Sequence, residues 1–253
     1  MNEIQTEHRD DVAIVTLHRP ERMNAVNQAL REQLSSELNM LNRSDAVRAI
    51  VLTGAGDKAF CAGQDLDEAS AIEWQTLVPW LNAQRAMYQA VRDLDKPCVA
   101  AINGVAAGAG FQIALCADWR IIAPDTRIGQ PEVKAGLASI VGSYLMTLHT
   151  GMTHNVQLSL SGELITGRRA HEVGLVTELA EPSDVFQAAC QRASKLARLP
   201  ATAVRLSKQR FRAMTQAKFD EACVAGIRAQ LECYAQGEPQ QAMRRFLEAR
   251  NKA

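Results

Sequence analysis

The sequence predicts an α/β fold followed by a helical region, and three observations carry that expectation. Apolar runs of strand length recur at residues 12–17 (VAIVTL), 49–53 (AIVLT) and 99–102 (VAAI). Between the first two, Leu30, Leu34, Leu38 and Leu41 fall on one face of a helix over about residues 27–43. Beyond Pro182 strand-like runs stop and helical stripes take over. Strand, helix and strand at this spacing imply an α/β core with parallel pairing where crossovers occur. The division falls at residues 1–182 for the core and 183–253 for the helical region.

Each element can be justified in turn. The strand at 12–17 pairs through Arg9-Asp10-Asp11 with residues 3–8, and Arg19-Pro20-Glu21-Arg22 stops it. The strand at 49–53 ends in Gly54-Ala55-Gly56-Asp57, and residues 60–66 form a short strand that breaks at Gly63. Asp65 reads as a helix cap in preference to a catalytic acid. Residues 68–93 are apolar and carry Trp74 and Trp80, but Pro79 interrupts them, so a loop or broken helix is expected. After Glu132, residues 136–142 read as a loop, a helix opens over 143–149, a short helix lies between turns at 162–174, and 176–179 return as a strand. In the helical region Ser183 is expected to cap a first helix with a stripe at Phe186, Ala189, Cys190, Ala193 and Leu196. Pro200 precedes a second over about 201–214, and Phe219, Cys223, Ile227, Leu231 and Tyr234 mark a third. Gly237-Glu238-Pro239 leads into a basic terminal helix ending near residue 250.

Composition narrows the function classes. Hydrophobic residues are 47% and aromatics 5% of the 253-residue chain, so the core is aliphatic. Twenty-eight basic and 28 acidic residues cancel, which gives no global field for nucleic acid or an anionic membrane. No apolar run approaches the ~18 residues of a membrane span. The polar, acidic N-terminus is unlike a signal or transit peptide. The six cysteines are scattered without a CxxC pair, as suits buried free thiols in a reducing cytosol. A cytoplasmic location is expected. The five histidines form no metal-ligand pattern, so no metal is expected.

The chemistry concentrates in residues 98–132. The strand at 99–102 breaks at Asn103-Gly104, residues 106–110 are only glycine and alanine, and an apolar segment of helical length follows. A strand that passes through a turn of tiny residues into a helix presents unpaired N–H groups and the positive end of the helix dipole. Such a place suits an anion or a developing oxyanion, though the same small residues also serve close helix–strand packing. Gly108-Ala109-Gly110 lacks the third glycine of a dinucleotide fingerprint, whose slot holds Ile113, and no Gly-Lys-Ser/Thr marks a phosphate loop. Glu132, just past Pro131, supplies a carboxylate on what reads as a loop. A carboxylate near a polarising helix terminus is suited to moving a proton beside a carbonyl. A serine hydrolase is disfavoured: GxSxG is absent, and Ser139 and Ser143 have only His149 as a candidate partner.

HRPERMNAV at 18–26, AFCAGQDL at 59–66 and AINGVAAGAGFQIALCADWRI with GQPEVKAGL further on resemble the crotonase superfamily, the enoyl-CoA hydratases and isomerases. The likeness runs to about residue 180. It implies a crotonase-like spiral of ββα units, an acyl-CoA substrate with coenzyme A as its part and no separate cofactor, and a homotrimer or hexamer built through residues 183–253. It implies that the backbone N–H groups of Gln64 and Ala109 form the oxyanion hole, with φ negative at Ala109. It places Met23, Ala25, Ala62, Gly63, Asp65, Leu66 and Gly110 in the acyl-CoA site, with Arg22 and Lys58 as candidate phosphate partners and residues 68–93 along the acyl group.

Two glutamates of a standard hydratase would fall at 112 and 132, and here position 112 is Gln112. A neutral amide cannot take a proton from water, although it can orient one; Gln112 is either such a group or a tolerated helix residue. One carboxylate that removes a proton and returns it nearby suffices for a double-bond shift, so the resemblance points to isomerisation with Glu132 as the proton shuttle. Hydration with water oriented by Gln112, and a CoA-binding protein without turnover, are the alternatives.

Overall fold

The computed structural model describes residues 2–250, with backbone alone at residues 246, 247, 249 and 250. The chain opens with β1 (Ile4–Arg9), β2 (Val12–Leu17), α1 (Gln28–Arg43), β3 (Ala49–Gly54), β4 (Ala59–Cys61), α2 (Leu66–Ser70) and α3 (Trp74–Arg92). It continues with β5 (Cys98–Ile102), β6 (Val105–Ala107), α4 (Ala109–Cys116), β7 (Trp119–Ile122), β8 (Arg127–Gly129), α5 (Val141–Thr147) and α6 (Met152–Ser161). β9 (Leu164–Thr166), α7 (Gly167–Glu172), β10 (Glu178–Leu179), α8 (Val185–Ala197), α9 (Ala201–Gln236) and α10 (Glu238–Arg250) complete it.

Among the described residues two sheets form, in the orders β1-β2-β3-β5-β7-β10 and β4-β6-β8-β9. β3, β5 and β7 are neighbours in the first, and β4, β6 and β8 in the second, all parallel. Each turn of the chain therefore adds one strand to each sheet, which is a spiral of ββ units closed by helices. β1 joins β2 antiparallel as expected, with Ile4 opposite Leu17. Every residue of β3 and β5 is buried, which is why those strands read as continuous apolar runs. One apolar cluster fills the space on the α1 side, and Val185, Ala189, Ala193 and Ala197 of α8 cover the other face of the larger sheet.

Three expectations need correction. Residues 68–93 do break, but at 71–73 between α2 and α3 and not at Pro79, and residues 74–92 are one helix. Pro79 forfeits the bond to the carbonyl of Gln75, but residues 73–76 are exposed, so water can serve that carbonyl. Burial of Leu77, Trp80, Met87, Tyr88 and Val91 offsets the ~3 kcal/mol cost of the proline. Residues 201–236 likewise form a single helix, about 54 Å long, because the stretch between Met214 and Phe219 contains no breaker. Asp184 rather than Ser183 occupies the N-cap of α8, and Ser183 Oγ donates to Asp184 Oδ1 at 3.1 Å. No helix among the described residues is long and apolar enough to cross a membrane.

Candidate active site

The loop after β2 creates one wall of the site. Met23 and Asn24 both have positive φ, 50° and 55°. Asn24 holds the turn from inside: its Nδ2 donates to the carbonyls of Ala55 and Ala59 at 3.0 and 2.8 Å, and its Oδ1 accepts from Arg19 N at 2.9 Å. The segment that follows pairs with the chain after β4. Val26 N donates to Gly63 O at 2.8 Å, and Asp65 N donates to Val26 O at 2.9 Å. Because successive peptide groups of an extended chain point to opposite sides, those two bonds turn the N–H of Gln64 the other way. It has no partner among the described residues.

The second donor comes from the start of α4. Gly108 caps that helix with φ of 51°, a conformation open to glycine at little cost, and its N–H donates to Gly129 O at 3.0 Å. The first bond within the helix runs from Gln112 N to Gly108 O. The N–H of Ala109 is therefore left without a partner among the described residues, at the positive end of the helix. Its φ is not positive, as a residue with a Cβ requires. Gly110 lies behind the donor and lines neither cavity of the site. A Cβ there would stand 2.1 Å from Cys61 O, so Gly110 is what lets α4 press against β4.

Glu132 starts a 3-10 turn over residues 132–135 rather than lying on an irregular loop. Gln112 Nε2 donates to Glu132 Oε1 at 2.9 Å. The hydrogen-bond network also orients the buried Gln130 amide, whose nitrogen donates to Glu132 Oε1 at 2.8 Å and Oε2 at 3.0 Å while its oxygen accepts from Gln112 Nε2 at 3.2 Å. Burial pushes the Glu132 carboxyl up to about 7, and the hydrogen bonds from its own backbone and from Gln112 only partly oppose this. Gln130 was not expected from the sequence; it is one glutamine inside the GQPE run, and only the fold brings it over the carboxylate.

Two cavities meet at these groups. An outer crevice of about 1000 Å³ is lined by Met23, Ala25, Ala62, Gly63, Asp65 and Leu66, together with Gln64, Ala109 and Glu132. An inner cavity of about 90 Å³ is lined by Gln64, Ala109, Gln112 and Glu132. All the expected site residues except Gly110 thus converge. Of the tryptophans, Trp80 lines both cavities and donates from Nε1 to Glu68 at 2.6 Å, whereas Trp74 is exposed. The buried Arg31 pairs with Glu68 and donates to Gln64 Oε1 at 3.3 Å, which ties the first donor segment to α1. Asp65 is the cap of α2, accepting from Asp67 N and Glu68 N, and its Oδ2 pairs with Arg19 at 2.8 Å. Burial would raise the Asp65 carboxyl, but Arg19 and the cap bonds hold it below its ordinary value.

Other expectations fall away from the site. His149 is half-buried between Arg120 and the carbonyl of Leu115, and burial beside Arg120 drives it down to about 4. Arg22 lines the crevice while paired with Asp67 at 2.7 Å; Lys58 does not line it, and Lys134 does. Among the described residues no group of His, Cys, Asp and Glu is placed to hold a metal ion.

The profile of the enoyl-CoA hydratase/isomerase family matches residues 7–253. The short-chain-enoyl-CoA hydratase of Clostridium acetobutylicum is 32% identical over 251 residues, which is 99% of this chain and 96% of that protein. The 1,2-epoxyphenylacetyl-CoA isomerase of Escherichia coli is 35% identical over 204 residues, 78% of this chain and 77% of that one. A solved enoyl-CoA hydratase/isomerase from Mycobacterium paratuberculosis superposes with a TM-score of 0.90 at 26% identity, covering 97% of this chain and 98% of that one. The chain is an enzyme of the enoyl-CoA hydratase/isomerase family, in the crotonase superfamily, and acts on acyl-CoA thioesters.

Proposed function

We propose that the enzyme moves an enoyl-CoA double bond between C3–C4 and C2–C3, with Glu132 as its proton shuttle. The observation that carries this is a single carboxylate, held by two neutral amides, beside two unpartnered backbone N–H groups. The thioester oxygen accepts from the N–H of Gln64 and of Ala109, and that polarisation stabilises the enolate formed when a C2 proton leaves. Glu132 takes the C2 proton, the π electrons shift to join C2 and C3, and the same carboxyl returns the proton at C4. Gln112 and Gln130 hold the carboxylate without a charge that would prevent it from cycling through its acid form. The pantetheine and nucleotide lie along Met23, Ala25 and residues 62–66, with Arg22 and Lys134 near the phosphates. Coenzyme A is part of the substrate, and no separate cofactor enters the scheme.

Hydration is the second reading, favoured by the hydratase names of several relatives and by Gln112 and Gln130, whose amides could orient a water beside Glu132. A 3-enoyl-CoA and a 2-enoyl-CoA incubated separately distinguish the two. Isomerisation predicts a rise of conjugated thioester absorbance from the first and no sustained loss from the second; loss from the second indicates hydration. The base must be ionised, so kcat/KM for the 3-enoyl-CoA rises with pH through about 7. The sign for stability is opposite: an acid raised by folding makes the native chain bind more protons than the unfolded one between the ordinary carboxylate range and pH about 7, so its contribution is lost as pH rises across that window.

The assembly belongs to the same proposal. Residues 183–253 serve a trimer or hexamer, and the exposed Leu206, Phe211, Met214 and Val224 of α9 supply apolar surface for neighbouring copies.

A further inference from the structure

Behind Glu132, the inner cavity has an unusual lining. Four of its side chains carry a buried polar atom with no partner among the described residues: Gln64 Nε2, Gln84 Nε2, Ser139 Oγ and Gln230 Oε1. Leaving such atoms unmatched costs about 1–3 kcal/mol each, so four around one small space make it a polar site that water fills until a polar ligand group takes its place. The amide orientations of two are fixed by their other ends. Gln230 Nε2 donates to Ala138 O at 2.8 Å, which leaves its oxygen as a free acceptor. Gln64 Oε1 accepts from Arg31, which leaves its nitrogen as a free donor.

The cavity therefore offers a donor from Gln64, an acceptor from Gln230, and the Gln84 amide and Ser139 hydroxyl, each of which can serve as either. Charge is less available. Arg85 lines the cavity but is paired with Asp220 at 2.8 Å, and the other charged group in the lining is Glu132. A carboxylate would meet no unpaired cation, would share the cavity with Glu132, and would leave the Gln230 oxygen without a donor. A hydroxyl can donate to Gln230 and accept from Gln84 or Ser139 at once. The space also limits size: about 90 Å³ is smaller than the ~150 Å³ cavity that accommodates benzene.

We propose that the acyl group taken by this enzyme is short and carries a hydroxyl at its far end, bound by Gln84, Ser139 and Gln230. This rests on the acyl-CoA site described above and adds the class of acyl chain. A site built to hydrogen-bond a hydroxyl discriminates against the analogue that lacks it, because its own polar groups are then left unpaired.

Calorimetric binding of four-carbon acyl-CoAs provides the test, with NH in place of the thioester sulfur so that the 4-hydroxybutanoyl and succinyl groups do not cyclise and release CoA, and it does not depend on which reaction follows. Relative to butanoyl-CoA, 4-hydroxybutanoyl-CoA is expected to bind about tenfold tighter, and succinyl-CoA more weakly than the hydroxy compound. Gln84→Leu and Ser139→Ala each bring the hydroxy-to-plain ratio towards one, with binding of free CoA in the outer crevice reporting that the variant is folded. Equal or tighter binding of butanoyl-CoA overturns the proposal and leaves the acyl-CoA site standing, as does tightest binding of succinyl-CoA. If no acyl-CoA binds better than CoA itself, the inner cavity is not an acyl site and both readings fall.

Discussion

Glu132→Gln lowers kcat by about a thousandfold or more while acyl-CoA binding stays nearly intact, because general acid–base transfer by a placed group contributes about 10²–10⁴-fold. The carboxylate lies where the outer crevice and the inner cavity meet, so its loss removes a proton carrier and little contact surface. The amide keeps the shape and can turn its oxygen towards Gln112 and Gln130, which now donate to Glu132. Burial disfavours the charged carboxylate, so removal of the ionisable group does not destabilise the fold above pH 7. A variant with an unchanged melting temperature below the ordinary carboxylate range and a raised one above pH 7, unchanged binding of an unreactive acyl-CoA and turnover down a thousandfold or more is the expected combination. Steady-state kinetics with parallel thermal melts check it, and near-normal turnover would show that another group carries the proton.

Gly110→Ala is expected to have the second-largest effect, on both stability and rate. The added methyl would meet Cys61 O at 2.1 Å, Cys61 Cβ at 2.6 Å and Cys61 C at 2.8 Å. Two of these are backbone atoms of β4, so no side-chain rotation relieves the contact, and α4 must move away from the strand. Overpacking of this kind costs about 3 kcal/mol. The displacement also separates the segments that carry Ala109 and Gln64, and loss of one such donor lowers kcat by about 10²–10³-fold. Gly151→Ala is the control: a Cβ there meets nothing within 4 Å, and the change in stability stays within about 1 kcal/mol. Thermal melts and kcat of the two variants side by side separate a packing effect from a general intolerance of alanine.

Sequence and structure agree where the physical signal is periodic or local. Leu30, Leu34, Leu38 and Leu41 announce the buried face of α1 by spacing, and β2, β3 and β5 by unbroken apolar character. Asp65 announces a cap because its side chain can reach N–H groups two and three residues ahead. β6, β8 and β9 are three residues each, too short to show a period, and their pairing depends on partners far along the chain. Beyond the strand expected at 60–66, which overlaps β4, the smaller sheet was therefore not legible, although it positions Gly108 and Glu132. The continuity of α3 through Pro79 depends on burial that a local rule cannot weigh. Gln130 gives no sign of its position, since a glutamine after a strand is an ordinary surface residue until the fold buries it completely. Matched motifs carried the positions of Gln64, Ala109, Gln112 and Glu132 into the sequence reading, and spacing alone would not have joined segments separated by up to 68 positions.

A crystal structure of the enzyme with an unreactive acyl-CoA tests the central claim most directly. The expected result is a thioester oxygen within about 3 Å of both the Gln64 and Ala109 nitrogens, with a Glu132 oxygen adjacent to C2 and C4. A thioester directed away from those two nitrogens, or a Glu132 carboxylate turned from the acyl chain, would contradict it.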